Sequence, residues 1–206
     1  MNEGYNEVLR SIGSSDPTPG GGSVAALSLA HAHSLAMMVA RLTEGKKKWA
    51  EGHEVAQYVI SESQVGMAEA MRLAEIDAEA FESVMAAYRL PRDTEDQKTE
   101  RTKSIRDATI GAAEAPLATA SGARKLLSSL EKLCVSCNAN ALTDLASASE
   151  LSLSAVKMAA MNVRINLEFI EGDDVDRLAS QINKVVHKST ASAESITLKV
   201  NERLGW

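Results

Sequence analysis

The chain has 206 residues, 45% hydrophobic but only 3% aromatic, with two cysteines and a formal net charge of −6. That length can build a core without disulfide or metal staples, and an acidic balance without a basic face excludes broad phosphate-backbone binding, so no nucleic acid is expected as partner. No charged leader with an apolar run opens the chain and no uninterrupted apolar segment reads as long enough for a bilayer, which gives the expectation of a cytoplasmic protein with no membrane partner.

Few aromatics beside abundant Ala, Ser, Leu, Met and Glu suit closely approaching helices and fit strands badly. The first helical pattern runs from Glu3 to about Ile12 and stops at Gly13-Ser14-Ser15-Asp16-Pro17. From Ser23 the run is apolar nearly all round, which predicts a central helix surrounded by others, ending at Gly45-Lys46-Lys47-Lys48. A second long pattern spans Trp49 to Leu90 and is closed by Pro91, after which Thr94 to Gln97 reads as a capping box for a helix toward Thr109. Pro116 suits the first turn of another helix, and its pattern runs to Ile170. A single helix from Glu114 to Ile170 would measure roughly 85 Å, so a break is expected between Gly122 and Asn140. Glu171-Gly172-Asp173-Asp174 then precedes a last helix to about Leu204. The expectation is one all-α domain over residues 1–206, a bundle of about six to eight helices whose long apolar faces call for a second subunit.

Two carboxylates interrupt apolar seams. Cys134, Cys137, Ala141, Asp144, Ala148, Leu151, Ala155, Met158, Asn162, Ile165 and Phe169 alternate at helical spacing, and Asp77 falls into a stripe of Met67, Met71, Ala74, Phe81, Val84 and Tyr88. Burying a carboxylate is costly unless it has a partner, a shifted pKa or a polar cavity beside it. Two of them on different helices suggest one shared polar cavity; satisfied core residues, holding a helix terminus or Arg164, are the alternative reading.

Other candidates carry less. Cys134 and Cys137 have redox or ligand spacing but lack a second ligand pair, so they read as core, and no metal site is expected. His31 and His33 point to different helix faces. Glu75 and Glu79 read as a solvated face. Gly20, Gly21 and Gly22 before a helix leave backbone N–H groups uncovered at the positive dipole end, with Ser23 as N-cap or first-turn residue; a hinge would use the same residues.

The stretch Pro17-Thr18-Pro19-Gly20-Gly21-Gly22-Ser23-Val24-Ala25-Ala26, with Met38 to Lys48 some twelve residues on, resembles the opening of the formiminotetrahydrofolate cyclodeaminase and methenyltetrahydrofolate cyclohydrolase family. The likeness continues through Asp77 to Phe81, Leu90 to Lys98, Ala115 to Leu117 and Asn162 to Asn166. It departs at Cys137-Asn138 and Thr143-Asp144, where the family has Gly-Asn and Ser-Asp, and at His31 and His33.

The resemblance implies an all-helical homodimer that binds a reduced folate, with polyglutamate tails among the forms it takes, and no cofactor beyond that tetrahydrofolate substrate. It implies Asp144 and Asp77 as acid/base and electrostatic residues and Asn162 orienting the pterin or reacting nitrogens, with Asn166 and Asn138 as further matched polar positions. The glycine amides and Ser23 would hold part of the folate, and Lys46, Lys47 and Lys48 would attract tail carboxylates or simply be solvated helix-end charges. A separate formiminotransferase would supply the formimino substrate, or the cyclohydrolase reaction would be the chain's role. A non-catalytic helical binding protein is the reading from another class.

Overall fold

The computed structural model describes residues 4–206 and is helical throughout, with six α-helices: α1 Tyr5–Ile12, α2 Gly21–Glu44, α3 His53–Tyr88, α4 Glu95–Ser136, α5 Leu142–Leu167 and α6 Asp173–Leu204. Short 3-10 helices at Lys47–Gly52 and Ala139–Ala141 join α2 to α3 and α4 to α5. The expected start at Glu3 lies outside the described residues.

Helix α2 packs on α3 and α5 and touches α4, while α6 lies against α4 and α5. It can take that central place because its inward positions are small: Ala25, Ala26, Ala32, Ala36 and Ala40 are fully buried. Small side chains let helix axes approach closely, and leucines from the neighbours fill the rest. Leu29, Leu126, Leu127, Leu130, Leu133, Leu142 and Leu145 form the main core, and a second cluster around Leu117, Val163, Leu178 and Ile182 fills the opposite end. By length and composition α2 is apolar enough to cross a membrane, which corrects the sequence reading; 61% of its most apolar stretch is buried inside the bundle.

Two expectations met a different structure. On α3 the buried face is Ala56, Val59, Ser63, Ala70 and Leu73, whereas Met71, Phe81 and Tyr88 of the expected stripe are 46%, 37% and 52% exposed. Bulky residues dominated the pattern, but small ones mark where α2 comes close. Helix α4 does not end near Thr109; it runs unbroken through Pro116 for 42 residues, about 63 Å by rise per residue. The break falls at Ser136 to Leu142, at the C-terminal end of the expected window of Gly122 to Asn140 and two residues past it.

Pro116 is tolerated for a visible reason. A proline has no N–H to give the carbonyl four residues earlier, here Ala112. That carbonyl accepts 2.9 Å from Nδ2 of Asn166, which reaches across from α5. The helix start at Thr94 is the capping box read from sequence, with Gln97 N donating to Thr94 Oγ1 at 3.2 Å and Thr94 N to Gln97 Oε1 at 3.2 Å. At the other end Gly172, with φ +135°, opens α6, and Arg106 pairs with Asp174 at 2.7 Å across the turn.

The Pro116–Asn166 pairing predicts a coupled pair of substitutions. N166A should cost about 1–2 kcal/mol by orphaning the Ala112 carbonyl. In a P116A background the restored N–H takes that carbonyl, so the N166A loss in urea denaturation should shrink by at least half; equal losses in both backgrounds would contradict the pairing.

Candidate active site at the glycine end of the central helix

Gly20 is the N-cap of α2 in extended conformation, with no side-chain cap, and the first intrahelical bond runs from Val24 N to the Gly20 carbonyl. The N–H groups of Gly21, Gly22 and Ser23 therefore stand at the positive end of the helix without intrahelical acceptors. Ser23 is a first-turn residue, 1% exposed, and its Oγ lies 3.0 Å from both Asp77 Oδ2 and the Ala74 carbonyl.

Asp77 reaches this helix end because position 22 has no side chain. A Cβ on Gly22 would overlap the Asp77 carboxylate, coming within 2.6 Å of its Cγ. Burial raises the Asp77 carboxyl above the usual aspartate range, and hydrogen bonding from the Ser23 side chain and backbone offsets part of that rise. A carboxyl that holds its proton more tightly than an ordinary aspartate, with a hydroxyl orienting one oxygen, is equipped to accept and return a proton.

Asn162 completes the cluster from α5. Its Nδ2 would stand 3.5 Å from a Cβ on Gly21 and donates to the Met158 carbonyl at 2.9 Å, while its Oδ1 has no protein partner among the described residues. Asn166, one turn on, spends its amide on Ala112 and so acts first as a strut between α4 and α5.

The remaining sequence candidates gather elsewhere. Helices α2 and α5 run antiparallel, so Asp144 lies eighteen residues from Asn162, about 27 Å along α5. It is half-buried with no hydrogen bond or ion pair among the described residues. The chamber expected to join Asp77 and Asp144 is thus not formed within one chain, because α5 begins beside the far end of α2. Arg164 pairs with neither; its Nη2 donates to Asn183 Oδ1 at 3.0 Å.

Asn138 marks that far end. It is 5% exposed and its amide is used on both sides: Nδ2 donates to the Leu42 carbonyl and Oδ1 accepts from Asn140 N, each at 3.0 Å. Its place is therefore structural. Lys46 and Lys47 follow the C-terminal end of α2, whose 24 residues span about 36 Å, so neither stands near the glycines of its own chain. Lys48 Nζ lies over the Trp49 ring at 4.9 Å.

His33 is buried against Ser63, with Nδ1 3.1 Å from its Oγ, and burial lowers its pKa to about 4, so it is neutral at pH 7. His31 is exposed, with Nε2 3.3 Å from the Tyr5 hydroxyl. Cys134 and Cys137 are fully buried, and burial pushes the Cys134 thiol up to about 11, which suits core residues. Glu75 and Glu79 are exposed, as read from sequence.

One feature escaped the sequence reading: an apolar groove of about 470 Å³ between α1, α2 and α3, lined by none of Gly20, Gly21, Gly22, Ser23, Asp77 or Asn162. Tyr5 and Leu9 of α1, Leu27 of α2, and Met67 and Met71 of α3 line it. Its signal was present in the Met67–Met71 pair, which reads as core by spacing but stays partly open.

The raised Asp77 pKa predicts a linkage. A carboxyl whose folded pKa lies above its unfolded value stabilises the fold below the unfolded pKa and loses that contribution as pH rises through the folded one. D77N, which cannot titrate, should therefore gain stability relative to the parent as pH rises above the ordinary aspartate value of 3.8, read as a Tm difference that widens with pH until the folded carboxyl is ionised. A constant difference would contradict the assignment.

Comparison with known proteins places these features in a family. The family described as formiminotransferase-cyclodeaminase matches residues 4–186. A methenyltetrahydrofolate cyclohydrolase of Methylorubrum extorquens is 34% identical over 170 residues, covering 82% of each chain. A formimidoyltransferase-cyclodeaminase of Sus scrofa is 29% identical over 196 residues, which are 95% of this chain but 36% of that protein. The crystal structure of formiminotetrahydrofolate cyclodeaminase from Thermotoga maritima superposes with a TM-score of 0.81 at 27% identity, covering 97% of this chain and 94% of that one. The chain, with its glycine-opened central helix and the aspartate set against it, belongs to the formiminotransferase-cyclodeaminase family.

Proposed function

We propose that the chain is a folate-dependent one-carbon enzyme that converts 5-formimino-tetrahydrofolate to 5,10-methenyl-tetrahydrofolate and ammonia, with Asp77 as its proton shuttle. The observation that carries this reading is the Asp77 carboxyl held at the glycine end of α2 with its pKa raised by burial.

In this reaction N10 attacks the formimino carbon on N5, so a bond forms to N10 and the bond to the departing nitrogen breaks. With the formimino group entering as its protonated amidinium, N10 gives up one proton and the departing nitrogen gains one, leaving as ammonia, with the methenyl group left as a cation. A single carboxyl can take the first and deliver the second, and its negative charge stabilises the amidinium-like centre between them. Ser23 fixes one carboxyl oxygen, and the free Oδ1 of Asn162 can accept from a pterin or amide N–H.

The hydrolytic reaction is the second reading, favoured by the 34% identity to a cyclohydrolase of matching length. There, water attacks the same methenyl carbon and gives up both protons as the formyl carbonyl forms, one passing to N5 as the C–N5 bond breaks and one released to solvent, giving 10-formyl-tetrahydrofolate; Asp77 serves as the shuttle between water and N5.

A homodimer fits the exposed apolar side chains at the end of α5 and the turn after it: Met161, Ile165 and Phe169 are 60%, 57% and 86% exposed. In such an assembly Asp144, Lys46 and Lys47 could serve only a site reached from the far end of α2.

Methenyl-folate absorbance tests the chemistry. It should rise with formimino-folate as substrate for the cyclodeaminase and fall with methenyl-folate for the cyclohydrolase; the uncatalysed rate in both would overturn the enzyme reading. D77N should lower kcat by about 10²–10⁴-fold, with helical content unchanged, whereas near-parental turnover would remove Asp77 from the mechanism.

A further inference from the structure

We propose that the groove between α4 and α6 binds a small molecule carrying two or more oxyanion groups, phosphate or carboxylate, at a place separate from the Asp77 site. The groove has a volume of about 430 Å³. Arg124, Lys125 and Ser128 line it from α4, and Gln181, Lys184 and Lys188 from α6. No aspartate or glutamate lines it, although the chain as a whole carries a net charge of −6.

The charges there are poorly compensated. Lys125 is drawn to Glu62, 3.2 Å from its Oε1, on the side toward α3. Arg124, Lys184 and Lys188 have no ion-pair partner among the described residues. Lys184 and Lys188, four apart on one helix, repel each other. Arg124 Nη1 is shielded from solvent and has no hydrogen-bond acceptor among the described residues. A buried guanidinium N–H without an acceptor is costly, and natural proteins rarely leave one so.

An oxyanion seated in the groove would balance the unpaired charges of Arg124, Lys184 and Lys188. The planar guanidinium offers two parallel N–H groups to a phosphate or carboxylate, and lysines add point charges around it. The rise from Lys184 to Lys188 is about 6 Å, which suits two charged groups on one small molecule better than a single ion. Along α4, Arg124 lies twelve residues, about 18 Å, beyond Ala112, the residue tied to Asn166. The proposal therefore stands independently of the folate reading.

Isothermal titration of the full chain with inorganic pyrophosphate, and separately with citrate, tests it. One saturable site per chain is expected, weakening at least tenfold in R124Q and in K184Q/K188Q, and falling with added salt. The double lysine variant alters exposed side chains only, so it keeps the test valid if R124Q folds poorly. K132Q/K157Q removes two charges outside the groove and should bind as the parent does. Tighter pyrophosphate binding assigns the site to phosphate compounds, and tighter citrate binding to polycarboxylates. Saturable binding of neither anion, or equal weakening in K132Q/K157Q, would overturn the proposal.

Discussion

The absence of one side chain, at Gly22, governs the candidate site. An aspartate that belongs geometrically to the buried face of α3 has nowhere to go in a packed bundle unless its neighbour yields space. Gly22 yields it, so the carboxylate settles against the first turn of α2, where Ser23 bonds to it and uncovered amides face the same region. The carboxyl is thereby partly withdrawn from water yet not neutralised by any arginine or lysine. That combination, burial without a cationic partner, is what raises its pKa and fits it for proton transfer.

The surrounding bundle serves this contact by holding three helices in register. Small residues on α2 bring α3 close enough for Asp77 to reach Gly22. On the other side, α5 places Asn162 beside Gly21, and the Asn166 bond to Ala112 fixes α5 against α4. Pro116 thus has a constructive part: by withholding an N–H it leaves a carbonyl for Asn166, and the strut one turn from Asn162 follows from that vacancy.

Part of this was legible in the sequence. The glycine run, the first-turn serine and an acid in an apolar stripe all follow from local rules, because an unpartnered carboxylate among apolar residues is too costly to be accidental. The helix borders at Thr94 and Gly172 were legible for the same reason. What periodicity does not contain is which helix ends meet. Asp144 and Asn162 share one seam on one helix, yet antiparallel packing sends them to opposite ends of α2, with Asn138 securing the far junction. The Asn166 strut links residues 54 positions apart through a missing proton donor, which no spacing rule reports. The α3 face was misread because Ala56, Ser63 and Ala70 give a weak apolar signal although they mark the closest helix contact.

The central claim, that Gly22 shapes the protonation of Asp77, is tested most directly by a carboxyl 13C NMR titration of Asp77 in the parent and in G22A. The account predicts a midpoint above the ordinary aspartate value of 3.8 in the parent, moving back toward it in G22A as the added methyl pushes the carboxylate into solvent. A parent midpoint at or below that value, or one that G22A leaves unmoved, would contradict it.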